Sequence, residues 1–281
     1  TEDQGWRVEI KKYPNLVKVG SKRNQTIIGR NSISKTYDGT PHGGYYTQEE
    51  IKDIVKYAAE RYIEVVPEID MPGHMVAALA SYPELGCRDE KFEVRTRWGI
   101  SKDVLCVGKD TSFEFIEGVL SEVISLFPSK YIHIGGDECP RDRWKECPHC
   151  QQRIKQEGLK DENELQSYFM HRVEAFLAKH DRRIIGWDEI IYGGINKSAT
   201  IMLWNDRNRS KVTSLGNDVI LTPKYFCYMD YYQTKRPYCN KEGLMFKERI
   251  LTLRKAYSLN PYEGLQPSEY GRIKGVQANL W

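Results

Sequence analysis

The sequence predicts an α/β fold around a parallel sheet, and it favours a closed (β/α)8 TIM-type barrel over an open sheet. Short apolar strands alternate with amphipathic helices along the chain, and polar or aromatic residues follow many of the strands. Strands separated by helices form βαβ units, whose strands run parallel. No GxGxxG or P-loop motif follows any strand, so the usual dinucleotide and nucleotide-phosphate sites are excluded.

The predicted strands are short and apolar on both faces, as in a sheet buried between helices. They are Tyr62–Ile69, Tyr131–Ile134, Arg183–Gly186 running into Trp187, Thr200–Trp204, Asp218–Thr222 and Gly275–Trp281. The predicted helices are Thr47–Arg61, Ser112–Leu126 and Asn163–His180. The first helix opens with Thr47-Gln-Glu-Glu50, a capping-box pattern in which the two side chains accept hydrogen bonds from each other's backbone N–H groups.

Polar and aromatic residues cluster just after the carboxyl ends of these strands. An open sheet concentrates its site at one switch point, whereas a barrel collects residues from nearly every strand on one rim. The distribution therefore favours the barrel and predicts that one rim carries Glu68, Asp70, Asp137, Glu138, Trp187, Asp188, Glu189, Trp204, Asn205, Asp206, Tyr228, Asp230 and Trp281.

The composition is that of an ordinary globular protein, with 281 residues of which 40% are hydrophobic and 29% charged. The formal net charge is only +3 and the basic residues are scattered, so we expect no nucleic-acid partner. Apolar stretches such as MVAALA fall far short of the ~18 residues that span a bilayer, so no membrane partner is expected. Residues 1–281 are expected to form a single domain.

Seven cysteines are present, of which two stand in Cys147-Pro-His-Cys150 with the spacing of a zinc ribbon. Cys139 lies nearby, but no second CxxC or HxxxH motif follows. A structural zinc ion, a local disulfide and reduced thiols therefore all stay open. The other cysteines are Cys87, Cys106, Cys227 and Cys239.

The segment His133-Ile-Gly-Gly-Asp-Glu138 is the strongest candidate for chemistry. Regular alternation would point Asp137 and Glu138 to opposite faces, but a kink after the two glycines can bring both to the barrel mouth. Two carboxylates in an apolar site do not share one pKa, so one of them becomes a proton donor near neutral pH. A metal-binding or helix-capping acidic pair is the alternative.

Tryptophans favour a catalytic interpretation of this acid pair. Three of the six, Trp187, Trp204 and Trp281, stand at the ends of predicted strands and would line one cavity. Buried tryptophan needs a partner for its N–H group, so three of them on a polar rim suit a ligand better than an empty site. An aromatic pocket with a carboxylate floor is what a glycosidase needs to hold one sugar ring and protonate its glycosidic oxygen.

The chain resembles glycoside hydrolase family 20, the β-N-acetylhexosaminidases. The resemblance rests on EIDMPGH within Gly43–His74, YIHIGGDE (Tyr131–Glu138), IIGWDEI (Ile184–Ile190), IMLWND (Ile201–Asp206), YMDYYQ (Tyr228–Gln233) and GVQANLW (Gly275–Trp281). It implies an exo-acting glycoside hydrolase that removes terminal non-reducing β-GlcNAc or β-GalNAc from a glycan. It also implies a retaining, substrate-assisted mechanism through an oxazolinium, without metal or organic cofactor, and an exported or lysosomal protein.

The resemblance also implies roles for individual residues. Glu138 matches the general acid/base, and Asp137 matches the carboxylate that orients the acetamido N–H group. Tyr228 matches the hydroxyl that holds the acetamido oxygen. The remaining matches are three walls of the N-acetyl pocket and a ligand of the outer sugar hydroxyls: Trp187, Trp204, Trp281 and Asp230. His74, with Asp3 and Asp70, resembles a polar network behind the acid; an ordinary core histidine is the alternative.

The match to the family pattern has gaps at both ends. The family's sugar-binding Arg would precede Thr1, and an acidic residue would follow Trp281, so we expect an excerpt of a longer polypeptide that lacks the first two barrel strands and the end of the last βα unit. A catalytically incompetent sugar-binding module and a metal-dependent barrel enzyme using His74, Asp137 and Glu138 are the competing hypotheses. The oligomeric state is left open.

Overall fold

The computed structural model describes residues 2–29, 34–233 and 250–281. Its centre is a sheet of five strands in sequential order, each parallel to its neighbours. A separate antiparallel pair consists of β1 (Lys22–Arg23) and β2 (His42–Gly43). The main sheet consists of β3 (Tyr131–His133), β4 (Arg183–Trp187), β5 (Thr200–Leu203), β6 (Asp218–Leu221) and β7 (Ile273–Val276).

Helices connect the strands, and the three predicted helices are confirmed to within two residues at each end. The described helices are α1 (Asn15–Lys18), α2 (Gln48–Ala59), α3 (Val76–Ser81), α4 (Asp110–Leu126), α5 (Asp142–Glu146), α6 (Pro148–Gln156), α7 (Glu162–Ala178), α8 (Arg209–Ser214), α9 (Lys224–Cys227) and α10 (Leu253–Tyr257). The predicted capping box is present, with the Thr47 N–H donating to Glu50 Oε2 at 2.7 Å and the Glu50 N–H to Thr47 Oγ1 at 3.2 Å.

The two faces of the main sheet bury different sets of apolar side chains, as strand alternation requires. One face joins the large core that α4 and α7 cover; its members are Ile132, Ile184, Ile201, Leu203, Val219 and Leu221. The opposite face carries a smaller cluster made of Ile185, Trp187 and Met202, with Tyr131, Trp204 and Ile220 packed against it. Two of the predicted site tryptophans therefore belong to the face that is turned away from the helices.

The first predicted strand is wrong over most of its length. Tyr62 adopts a left-handed φ of 57°, which ends the preceding helix in a turn instead of opening a strand. Only the extended segment 67–71 joins the sheet, parallel to β3, with the His133 N–H donating to the Pro67 carbonyl at 2.9 Å and the Ile69 N–H to the His133 carbonyl at 3.0 Å. This segment brings Glu68 and Asp70 beside β3.

The last predicted strand is also placed too late, because β7 ends at Val276. Beyond it, Asn279 pairs with the chain around Tyr228: its N–H donates to the Cys227 carbonyl at 2.7 Å and its carbonyl accepts from the Met229 N–H at 2.8 Å. This pairing holds the end of the chain against the segment that carries Tyr228.

Sequential order with parallel strands places the carboxyl ends of all five strands at one edge, which is the arrangement a barrel rim requires. Over residues 2–29, 34–233 and 250–281 the main sheet does not close on itself, so the eight-stranded barrel stays a prediction. None of the helices in these ranges combines the length and apolar character needed to cross a bilayer.

Candidate active site

The acid pair follows β3 through a sharply kinked backbone. Gly135 and Gly136 have φ values of 64° and 96°, a region that side chains with a Cβ avoid, and Glu138 follows at 43°. A Cβ at Gly135 would overlap the Asp70 carboxylate, and one at Gly136 would overlap the Ile190 side chain. The two glycines therefore allow the chain to turn directly against the neighbouring segments, which brings both carboxylates to the same side.

His74 lies at the centre of four carboxylates. Its Nε2 is 3.5 Å from Glu138 Oε2 and 4.0 Å from Asp137 Oδ2, while its Nδ1 is 3.1 Å from Glu2 Oε2 and 3.5 Å from Asp3 Oδ2. Burial alone would lower the pKa of His74, but Asp3, Glu138 and Glu2 outweigh it and hold the pKa above its ordinary value. The imidazolium thus links the acid pair to the start of the chain.

Asp70 and Asp137 form a second contact behind the acid. Burial and the neighbouring Asp137 raise the pKa of Asp70 well above its ordinary range, and Asp70 Oδ1 accepts from the Gly136 N–H at 3.0 Å. Burial also raises the pKa of Asp137 to about 6, although His74 and a hydrogen bond with Asp70 oppose the rise. The hydrogen bond with Asp70 favours the ionised form of Asp137, because it lowers the pKa of that carboxyl group.

Each of two site tryptophans donates its indole N–H to a carboxylate. Trp187 Nε1 donates to Glu68 Oε1 at 3.0 Å, and Trp204 Nε1 donates to Glu189 Oε2 at 2.9 Å. Burial, with the neighbouring Asp188 second, raises the pKa of Glu189 to about 8. These bonds fix the ring orientations, since a buried indole N–H is satisfied in only one direction.

Trp187 and Trp281 stand side by side, with ring centroids 6.1 Å apart and planes inclined at 46°. Trp187 is only 3% exposed, whereas Trp281 is 62% exposed. Burial raises the pKa of the Tyr228 phenol and outweighs the side chains of Trp281 and Asn279, which lower it, so the phenol stays protonated and able to donate. These three aromatic side chains thus form a buried wall (Trp187), an exposed edge (Trp281) and a hydroxyl donor (Tyr228).

Two buried carboxylate groups offer acceptor atoms with no protein partner among the described residues. They are Asp137 Oδ1 and both carboxylate oxygens of Asp230. Burial raises the pKa of Asp230, as expected for a carboxyl group that lacks a compensating donor. Buried acceptors of this kind are costly unless a ligand supplies the missing hydrogen bonds.

The arrangement suits proton transfer beside a polar, ring-shaped ligand, and sequence comparison agrees. The whole chain, residues 1–281, matches the glycosyl hydrolase family 20 catalytic domain. The chain belongs to glycosyl hydrolase family 20. It is 48% identical over 284 residues to a β-hexosaminidase of Porphyromonas gingivalis, covering 100% of this chain and 35% of that protein. It is 36% identical over 286 residues to a β-hexosaminidase of Vibrio furnissii, covering 100% and 46%.

Solved structures of this family superpose on the whole chain. A crystal structure of a β-N-acetylhexosaminidase aligns with a TM-score of 0.89 at 35% identity, covering 100% of this chain and 58% of that chain. The GH20 exo-β-N-acetylglucosaminidase of Vibrio harveyi, in complex with N-acetylglucosamine, aligns with a TM-score of 0.85 at 35% identity, covering 100% and 44%. The chain therefore spans between about a third and three fifths of the length of these relatives.

The structure of this family 20 chain brings most of the sequence-predicted site residues into direct contact. His74 contacts Asp3, Asp137 and Glu138, Asp70 contacts Asp137, and Trp281 contacts both Trp187 and Tyr228. Trp204 joins through the apolar cluster that it shares with Trp187. Asp230 lies two residues beyond Tyr228, and its carboxylate contacts no other predicted site residue in the described part of the chain.

Three carboxylates of the site have no role predicted from the sequence: Glu2, Glu68 and Glu189. Glu68 and Glu189 do stand at predicted strand ends, and this position in the sequence could have indicated that they belong to the site. Glu2 gives no such signal, because its contact with His74 joins residues more than seventy positions apart. Cys139 directly follows the acid pair, and its sulfur does not belong to the group of possible metal ligands that contains the sulfurs of Cys147 and Cys150.

Proposed function

We propose that the chain carries the active site of an exo-acting β-N-acetylhexosaminidase that hydrolyses terminal non-reducing β-GlcNAc or β-GalNAc with retention. The observation that carries the proposal is the pair Asp137 and Glu138, held on one histidine, with an unpartnered buried oxygen on Asp137. In a conventional retaining glycosidase two carboxyl groups lie on either side of the glycosidic bond, roughly 5 Å apart. Asp137 and Glu138 are instead adjacent in the sequence and share one imidazole, so they act on neighbouring atoms of the substrate.

Glu138 is the general acid/base in this proposal. Its side chain is 36% exposed, so it can reach a leaving group that departs into solvent, while Asp137 beneath it is 19% exposed. Glu138 donates a proton to the glycosidic oxygen in the first step. It then removes a proton from the attacking water in the second step, as microscopic reversibility requires.

Asp137 serves the substrate's own nucleophile. In this family the 2-acetamido oxygen attacks the anomeric carbon, which places positive charge on the acetamido nitrogen. An ionised Asp137 accepts the acetamido N–H group and stabilises that charge. The charge of His74 and the hydrogen bond with Asp70 oppose the effect of burial, so Asp137 is ionised above pH about 6.

The aromatic side chains form the N-acetyl pocket. The Tyr228 phenol donates to the acetamido oxygen, which orients that oxygen toward the anomeric carbon. Trp187, Trp204 and Trp281 enclose the methyl group, and the carboxylates that bind two of the indoles prevent the walls from turning. Asp230 supplies two acceptors, which have no hydrogen-bond partner among the described residues, for the outer sugar hydroxyls.

The glycan specificity and the architecture belong to the same proposal. The named relatives are β-hexosaminidases, and the Vibrio harveyi structure contains N-acetylglucosamine, which supports a terminal N-acetylhexosamine as substrate class. The sequential parallel order of β3 to β7, with the site at its carboxyl edge, supports a single (β/α)8 barrel domain.

Hydrolysis of a chromogenic β-N-acetylglucosaminide, compared with the matching β-glucoside, tests the acetamido-assisted mechanism. We expect turnover only of the N-acetylated substrate, since the glucoside lacks the internal nucleophile. Equal rates on both would contradict the proposal. The assay is best made on the protein with its natural flanking sequence.

Substitution of the acid gives the second arm of this test. Glu138→Gln retains the shape of the side chain but removes the proton, and we expect a loss of about 10²–10⁴-fold in kcat/KM. Glu60→Gln, an exposed glutamate at the end of α2, is the matched control and should leave the rate unchanged. An unimpaired Glu138→Gln enzyme would refute the assignment.

A further inference from the structure

Four cysteine sulfurs from three distant segments meet at one point next to the loops of the candidate site. Cys106 Sγ is 3.7 Å from both Cys147 Sγ and Cys150 Sγ, and Cys87 Sγ is 3.9 Å from Cys150 Sγ. All four sulfurs lie within 4.8 Å of one another, and three of the four residues are buried. We call this group the four-cysteine cluster.

The spacing of the sulfurs fits a tetrahedral metal ion. Four thiolates at about 2.3 Å from a central zinc ion stand about 3.8 Å from one another, which matches these three separations in the four-cysteine cluster. A disulfide requires about 2.05 Å between sulfurs. All six cysteines among the described residues, the four of the cluster included, are free thiols.

The backbone around the four-cysteine cluster is built for close approach of its parts. Gly86 and Leu105 pair in an antiparallel bridge, and the residues that follow them, Cys87 and Cys106, stand diagonally across it with their sulfurs within 4.8 Å of each other. A Cβ at Gly108 would overlap the backbone of His149, so only glycine lets this loop lie on the first turn of α6.

Charge also favours a cation with thiolates at this position. Cys147 precedes α6 and Cys150 lies in its first turn, where the positive end of the helix dipole stabilises thiolates. The backbone N–H of Cys150 donates to the Cys147 sulfur. Lys109 Nζ donates to the Gly86 carbonyl at 2.8 Å, which places a further positive charge on the loop that carries Cys87 and Cys106.

We propose that Cys87, Cys106, Cys147 and Cys150 bind one structural Zn²⁺ ion. Binding releases the thiol protons to solvent and leaves a closed site in which all four positions belong to the protein. With no open position, the ion does not enter the glycoside chemistry; the expectation that the reaction needs no metal is unaffected. The sulfur ligands and the tetrahedral spacing select zinc over calcium or magnesium.

The position of the four-cysteine cluster gives the ion a structural task. The Leu105 N–H donates to the Pro72 carbonyl at 2.9 Å, and the Leu105 carbonyl accepts from Trp144 Nε1 at 2.9 Å. The residues after Pro72, Gly73 and His74, reach the acid pair, and the backbone of Gly73 lies against that of Asp137. Zinc would therefore connect the loop before α4 to α6 directly behind the segments that hold the acid.

Elemental analysis of protein purified without chelator tests the proposal first. We expect about one zinc ion per chain, since a site with four cysteine ligands holds one ion. Cys106→Ser should abolish this content, because Cys106 contacts two of the other sulfurs. Cys227→Ser and Cys139→Ser are the matched controls, because both replace buried thiols outside the four-cysteine cluster, and both should retain zinc.

Cobalt substitution tests the site in the unmodified protein, so its result does not depend on whether a cysteine variant folds. Protein that has been stripped of metal and reloaded with Co²⁺ should show the visible bands of tetrahedral cobalt and a thiolate charge-transfer band in the near ultraviolet. Zinc should also shield the four thiols from alkylation until a chelator is added.

Three results would overturn the proposal. The first is protein with neither zinc nor the capacity to bind Zn²⁺ or Co²⁺ after full reduction. The second is peptide mapping that finds the four cysteines joined as two disulfides in the protein as purified. The third is iron in place of zinc. Each result is independent of glycosidase activity, so the zinc site and the proposed function stand or fall separately.

Discussion

Asp137 shows how a residue with a proposed role in chemistry lowers the stability of the fold. Its carboxylate is buried beside Asp70 and Glu138, and one of its oxygens accepts nothing from the described protein. The protonated His74 offsets part of this concentration of negative charge at short range. The carboxylate that is proposed to bind the acetamide is therefore incompletely satisfied by the described protein groups.

The raised pKa of Asp137 leads to a prediction about stability. The folded group titrates at about 6 and the unfolded group near 3.8, so the folded state holds its proton more tightly. Stability from this group is present below pH 4 and is lost as pH rises to about 6. Asp137→Asn removes the penalty, and we expect the variant to be more stable than the parent at pH 7.5 by roughly 1–3 kcal/mol, with no gain at pH 4.

Urea denaturation at the two pH values measures this difference. Asp142→Asn is the matched control, because Asp142 is exposed and paired with Lys102 at 2.7 Å, and its substitution should bring no gain at pH 7.5. A gain for Asp137→Asn that is the same at pH 4 and pH 7.5 would show that burial of charge is not its cause.

Residues next to each other in the sequence were easier to predict than their partners. Asp137, Glu138, Trp187 and Trp204 come at or soon after the ends of apolar strands, which composition reveals, whereas Trp281 lies five residues beyond the observed end of β7. The partners of His74 and Trp187 include Glu2 and Glu68, which come from other segments and become neighbours only through the fold. The four-cysteine cluster has the same origin. Cys87 and Cys106 are nineteen positions apart in the sequence, and only the bridge between Gly86 and Leu105 brings their segments together.

At the scale of elements, the three longest described helices, α2, α4 and α7, were predicted and the shorter ones were not; two of the three have ends that are encoded locally. Thr47 and Glu50 cap α2 as expected, and Asp161 caps α7 by accepting from the N–H groups of Asn163 and Glu164. Strand ends depend instead on neighbouring strands. The segment after Tyr62 is apolar enough for a strand, yet it turns first, and only Pro67–Met71 finds a partner in β3.

The turn after β3 gives a prediction at this scale. Gly135→Ala places a methyl group in the Asp70 carboxylate at a φ of 64°, so it must displace Asp70 or open the turn. Gly158→Ala is a matched control, because Gly158 has nearly the same φ, 66°, with nothing within 4 Å of the new Cβ. The control should lose only the left-handed backbone cost of about 1–2 kcal/mol.

We expect Gly135→Ala to lose more stability than the control and to reduce kcat at least tenfold, because Asp70 supports Asp137. Thermal unfolding and steady-state kinetics of the two variants measure both effects. Equal losses of stability together with unchanged kcat in Gly135→Ala would show that the contact with Asp70 does not position the acid pair.

At the scale of the whole molecule, the candidate site draws on nearly the full length of the described chain. Its contacts run from Glu2 and Asp3, through His74 and the acid pair, to Tyr228 and Trp281. A ligand that bridges these segments binds only when all of them are in place. Binding energy is therefore coupled to the folding of the entire chain and not of one loop.

This coupling predicts a thermal shift with N-acetylglucosamine thiazoline, a mimic of the oxazolinium. At a hundredfold excess over its Kd, such a ligand stabilises the folded state by about 2.7 kcal/mol. For a chain of 281 residues that corresponds to a rise of about 5 °C in Tm. Glucose at the same concentration lacks the N-acetyl group and should leave Tm unchanged. Asp137→Asn should reduce the shift, because the thiazoline nitrogen loses its ionised partner, and an undiminished shift in that variant would place the acetamido contact elsewhere.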